Sequence, residues 1–145
     1  MPKLNFSISI NASKEKVWNT LWKDSSYREW TSVFAQGSYA VSDWNEGDKI
    51  SFLSPTGSGM YSSIARKIPN EFMSFKHIGE VKQGIEQPAG FANGDWGDAT
   101  ENYKLTANGN TTVLEVEMDM DPAYEAYFKD AFPKALDKVK LIAES

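Results

Sequence analysis

The chain has 145 residues, the usual size of one domain, so roughly 68–70% of its unfolded surface should go into a single core. Hydrophobic residues make up 41% and charged residues 24%, which excludes a disordered or fibrous chain. A net charge of −5 with scattered Lys and Arg excludes a basic stripe for nucleic acid or an anionic membrane, and no run approaches the ~18 apolar residues of a spanning helix.

Leu4, Phe6, Ile8 and Ile10 alternate with Lys3, Asn5, Ser7 and Ser9, the period of a half-buried strand. This opening has no apolar run followed by a small-residue cleavage site, so a cytoplasmic location is expected. Ser13 offers a cap for a helix over 14–23, where Val17, Trp18, Leu21 and Trp22 share one face. Asp24, Ser25 and Ser26 predict the cap of a second brief helix ending near Trp30, with Tyr27 and Trp30 on one side.

Strand patterns follow at 39–44 and 49–53, joined through Gly47 as a hairpin. Further strands are predicted at 60–68 and 72–78, separated by Pro69 and Asn70, so that four strands form an antiparallel meander. From Gly79 to Ala99 the pattern dissolves among glycines, and a long functional loop carrying Trp96 is expected. Alternation resumes at Glu101, Tyr103 and Leu105, turns at Asn108 and Gly109, and returns through Thr112, Leu114, Val116 and Met118. Asp121 and Pro122 read as cap and first residue of a helix whose apolar stripe runs from Tyr124 to Ile142. Pro133 should kink or split it near 131–133, because proline removes one backbone bond and clashes with the carbonyl of Lys129.

The order predicts an α+β class: a curved antiparallel sheet gripping the long C-terminal helix, with two short helices between strands 1 and 2 and no linker dividing residues 1–145. A sheet curved around one helix leaves a gap where the short helices do not reach, and such a gap can form a pocket. The chain resembles the helix-grip superfamily that includes START domains and birch-pollen-type allergens. Within it, the chain is similar to the branch of the C-terminal domain of the heat-shock-protein-90 ATPase activator. The resemblance rests on the run from Ile10 to Val17 and Trp18, on Trp30, on the run from Glu46 through Gly47 and Asp48 to Ile50, on Ile64 to Phe75, on the run from Ala99 through Glu101 and Tyr103 to Leu105, and on the helix from Phe128 to Ile142. It implies ligand carriers, cyclases or chaperone-associated proteins.

Nineteen aromatic residues, five Trp, six Tyr and eight Phe, suit either an irregular core or a cavity wall. Trp22, Trp30, Phe52, Phe128 and Phe132 are expected nearest the sheet–helix gap, with Phe75 beside them and Trp96 as a lid. His77, the only histidine, shares its alternation with Met73 and Phe75. It is a candidate for ligand contact or acid/base work, against the plainer reading of a strand histidine bonded to a neighbour. Glu101 shares a strand face with Tyr103, placing a carboxylate and a phenol where they could orient a ligand, or else at a wet sheet end and in the core. Without cysteine and with one histidine, no metal site or cofactor is called for. Three functions follow: binding of an apolar or aromatic small molecule, interaction with a chaperone, and a cyclase or hydratase using His77 or Glu101 as base and Tyr103 as acid. The residues favour binding.

Overall fold

The computed structural model describes residues 3–88 and 99–145. Strand β1 (Lys3–Ile10) is followed by helices α1 (Lys14–Trp22) and α2 (Asp24–Thr31). Strands β2 (Tyr39–Val41), β3 (Lys49–Leu53), β4 (Gly59–Ile68), β5 (Phe72–Lys82), β6 (Ile85–Glu86), β7 (Thr100–Asn108) and β8 (Thr111–Asp119) come next. Helix α3 (Pro122–Glu144) closes the chain. The strands form one curved antiparallel sheet in the order β1-β8-β7-β5-β4-β3-β2, with β6 paired to β5. The expected class and arrangement are found.

Local chemistry accounts for most boundaries. Ser13 Oγ accepts the amide of Lys16 at 3.1 Å and starts α1, and Asp121 Oδ1 accepts the amide of Ala123 at 2.8 Å and starts α3. The second helix differs from expectation. Its cap position is Lys23, which offers no side-chain oxygen, and Asp24 instead lies inside the first turn and pairs with Arg28 one turn on. Strand β2 is also shorter than predicted, because Trp44 adopts a positive φ of 64° outside the ladder and lays its indole against Trp22 at 5.7 Å.

The expected break between Gly79 and Ala99 is partly strand. β5 continues to Lys82, turns at Gln83 and Gly84, both with positive φ, and returns as β6. A bulge explains why the pattern was misleading. Ser62 faces His77 while Tyr61 faces Gly79, so Ile78 is the extra residue and the side-chain alternation reverses there. Before it Met73, Phe75 and His77 point to the core; after it Gly79 lies under the ring of Tyr61, and an added Cβ would stand 2.8 Å from that ring.

Helix α3 is unbroken, which corrects the split expected at Pro133. One missing backbone bond is outweighed by the burial of Ala131, Phe132, Ala135 and Leu136 on either side of it. The helix packs chiefly on β1, α1 and α2. Phe132 stacks on Phe6 of β1 with ring centroids 4.9 Å apart and planes 12° from parallel. Because α3 leans towards the β1 edge, no described helix covers the inner faces of β3, β4 and β5 along part of their length. Among the described residues no helix is long and apolar enough to cross a membrane.

Candidate functional site

The uncovered part of the sheet is a partly open cavity of about 330 Å³ between the sheet and the three helices. Each wall follows from an element already placed. Trp22 comes from the last turn of α1, Tyr27 and Trp30 from α2, and Phe34 from the turn that follows. The sheet supplies Phe52 from β3, Phe75 and His77 from β5, and Glu101 and Tyr103 from β7. Phe128 and Phe132 of α3 close the opposite side. The sequence-predicted residues Trp22, Trp30, Phe52, Phe75, His77, Glu101, Tyr103, Phe128 and Phe132 are thus brought together around one space. Trp96 lies outside the described residues.

The rings hold one another edge to face. Trp22 stands nearly perpendicular to Tyr103 at 4.9 Å and to Phe75 at 5.4 Å, and Phe52 meets Phe75 at 5.2 Å. Such contacts add directional rigidity to apolar packing, so the wall is stiff instead of collapsing into the space. Trp30 is fixed further by donating from Nε1 to the carbonyl of Leu21 at 3.1 Å. Across the cavity Phe34 contacts Phe128 at 5.7 Å and Phe132 at 5.1 Å, and the hydroxyl of Tyr127 donates to the Phe34 carbonyl at 2.6 Å. Gly59, at the start of β4, lies so close to β3 that a Cβ there would overlap the carbonyl oxygen of Phe52 at 1.9 Å.

His77, Glu101 and Tyr103 meet at one corner. The register sets Phe75 opposite Glu101 and Met73 opposite Tyr103, so Glu101 and Tyr103 both enter the concave face. The Tyr103 hydroxyl donates to Glu101 Oε2 in a short hydrogen bond, and His77 Nε2 lies 3.7 Å from Glu101 Oε1. On its other side His77 Nδ1 is 2.8 Å from the hydroxyl of Ser62, and its backbone amide donates to Ala99 at 2.9 Å. Burial, reinforced by the charge of Glu101, pushes the phenols of Tyr103 and Tyr27 well above their ordinary range and keeps both neutral. The corner therefore holds one carboxylate, one imidazole and two neutral phenols at the edge of an aromatic space. Among the described residues no cluster of His, Asp and Glu could hold a metal.

Sequence reasoning missed Tyr27, Phe34 and Ser62 as members of this region. Tyr27 was legible as a buried helix residue, since it shares a face with Trp30. Ser62 carries no local signal: only the pairing of β4 with β5, shifted by the Ile78 bulge, sets it beside His77.

The same fold occurs in solved structures. The Aha1 dimer from Colwellia psychrerythraea superimposes with a TM-score of 0.75 at 19% identity, covering 99% of this chain and 97% of that one. Protein MLL2253 from Mesorhizobium loti gives 0.73 at 17% identity, covering 97% and 96%. CalU16 from Micromonospora echinospora gives 0.68 at 17% identity, covering 97% and 75%. The fold is of the helix-grip type. No family model and no curated protein matches the sequence, so at these identities the helix-grip likeness speaks for architecture and leaves the chemistry to the residues.

Proposed function

We propose that this chain is a cytoplasmic binding module that holds an apolar or aromatic small molecule between the sheet and the C-terminal helix. The observation that carries this reading is the cavity itself, lined mainly by aromatic and apolar residues, with His77, Glu101 and Tyr103 at one corner and the hydroxyl residues Thr31, Ser38, Ser54 and Ser58 elsewhere on its wall. That distribution is the usual chemistry of a small-molecule site, in which apolar area supplies affinity and a few directed groups supply orientation. Its volume is at the small end of the ordinary range of roughly 300–1,000 Å³, which favours a compact ringed molecule over a long acyl chain.

The probe for this reading is 1-aminoanthracene, a neutral aromatic whose fluorescence rises in an apolar site. Binding in the micromolar range is expected, together with its loss in Ala35→Trp, where an indole replaces a methyl group on the cavity wall. Circular dichroism of that variant checks that the fold persists. A wild-type chain that gives no fluorescence gain, or an Ala35→Trp variant that binds as well as wild type, removes the proposal.

The likeness to the Aha1 dimer supports a second reading, action on a chaperone through the protein surface, in line with the activator-like branch suggested by the sequence motifs. Capture of such a partner would be unaffected by filling the cavity. The Ala35→Trp chain in a pull-down against purified heat-shock protein 90 therefore separates the two readings.

A further inference from the structure

Building on the binding-module reading, we propose that the ligand is an organic cation, an aromatic body bearing one ammonium group whose charge is received by Glu101. Among the described lining residues Glu101 carries the single fixed charge, while Thr31, Ser38, Ser54 and Ser58 add only neutral hydroxyls. No described Lys or Arg lines the cavity, and the sequence of residues 89–98 contains neither. Arg28 lies over the ring of Tyr39 at 5.2 Å, but it is absent from the lining and is paired with Asp24.

Glu101 is a charge taken largely out of water without a cation to match it. Its side chain is 24% exposed, and no described Lys or Arg pairs with it. Tyr103 donates to Oε2, and Oε1 accepts no hydrogen bond from a described residue. An ammonium seated at Oε1 requires neither a donor nor an acceptor from His77, which flanks that oxygen at 3.7 Å and has contacts of its own. A carboxylate already desolvated by the fold favours a cation over a neutral group of the same shape, because charges attract most where water is scarce. A ligand carboxylate or phosphate would instead shed its water beside a like charge and is rejected.

The rings around this corner act in the same direction. Tyr103 is bonded to Glu101, Phe75 is its cross-strand neighbour, and Trp22 packs on both rings at 4.9 and 5.4 Å. Aromatic faces are electron-rich and attract an ammonium, which offsets part of the hydration the ligand gives up. The field of Glu101 also reaches the opposite wall: burial first, and this charge second, raise the phenol of Tyr27 on α2.

The test uses three probes that share one ring system and one substituent carbon: 2-naphthylmethylammonium, 2-naphthalenemethanol and 2-naphthoate, titrated by calorimetry at pH 7.5. In the wild-type chain the ammonium is expected to bind about tenfold tighter than the alcohol, the size of one hydrogen bond to a charged acceptor, and the anion weakest of the three. Glu101→Gln, which keeps an acceptor for Tyr103, should narrow the gap between ammonium and alcohol to about threefold or less and strengthen the binding of 2-naphthoate. Circular dichroism checks that this variant is folded, and an undiminished gap in the folded variant overturns Glu101 as the receiving group. In the wild-type chain, an alcohol that binds as tightly as the ammonium, or an anion that binds tightest, overturns the cation assignment and leaves the cavity reading standing. Failure of all three probes overturns it as well, and the cavity reading falls with it only if 1-aminoanthracene also fails to bind.

Discussion

Phe132 offers the sharpest test of how this fold is held together, because it belongs to the core and to the cavity wall at once. It is 2% exposed, stacks on Phe6 at 4.9 Å and touches Phe34 at 5.1 Å. Phe→Ala in a core costs about 3–5 kcal/mol, the sum of lost transfer energy and the void left behind. Phe132 borders a space that already exists, so its removal enlarges that space instead of opening a sealed one. The cost should sit at the low end, about 3 kcal/mol, which lowers the Tm of a chain this size by roughly 10 °C. Urea unfolding followed by tryptophan fluorescence measures the first quantity and calorimetry the second.

The enlarged hollow should also accept benzene. At ten times its Kd, benzene would return about 1.4 kcal/mol to Phe132→Ala and much less to the wild-type chain. A loss below about 1 kcal/mol would refute the placement of this ring at the contact between α3 and β1. A full-cost loss with no recovery in benzene would refute its continuity with the cavity.

Three further outcomes follow from named contacts. Tyr103→Phe deletes the hydrogen bond to the Glu101 carboxylate and should cost about 1.5–3 kcal/mol in urea unfolding, the range for bonds to charged acceptors. Gly79→Ala should destabilise by about 1–3 kcal/mol, since its Cβ would meet the Tyr61 ring at 2.8 Å and that ring is tethered by its hydroxyl to the carbonyl of Gln87; an unchanged melting temperature would show the outer face to be looser than described. The phenols of Tyr27 and Tyr103 are raised in the folded chain, so their contribution to stability is complete below the unfolded value of about 10 and is lost as pH climbs towards the folded values. Absorbance at 295 nm should accordingly show these two tyrosines ionising only as the chain unfolds, and reversible ionisation of all six below pH 11 would contradict their burial.

The legible parts of this protein are those in which one element's periodicity decides burial. The alternation of Leu4, Phe6, Ile8 and Ile10 fixed β1, and the helical spacing of Val17, Trp18, Leu21 and Trp22 fixed α1. Glu101 and Tyr103, two residues apart, had to share a strand face, and in the structure they are joined by a hydrogen bond. Boundaries were less secure where a distant contact overrode local preference. Trp44 leaves its strand pattern to pack on Trp22, and Pro133 stays within a helix whose flanking residues are buried.

The order of amino acids was enough to set the class of fold and the buried faces of β1 and α1, because these depend on spacings of two and 3.6 residues that are written locally, whereas Tyr124 and Tyr127 of the α3 stripe are exposed. Only the tertiary structure decided that α3 leans on β1 and leaves a hollow over β3, β4 and β5, and that Ser62 stands beside His77. Those placements arise from a bulge at Ile78 and from packing between residues far apart in the chain, and neither leaves a periodic trace in the order of amino acids.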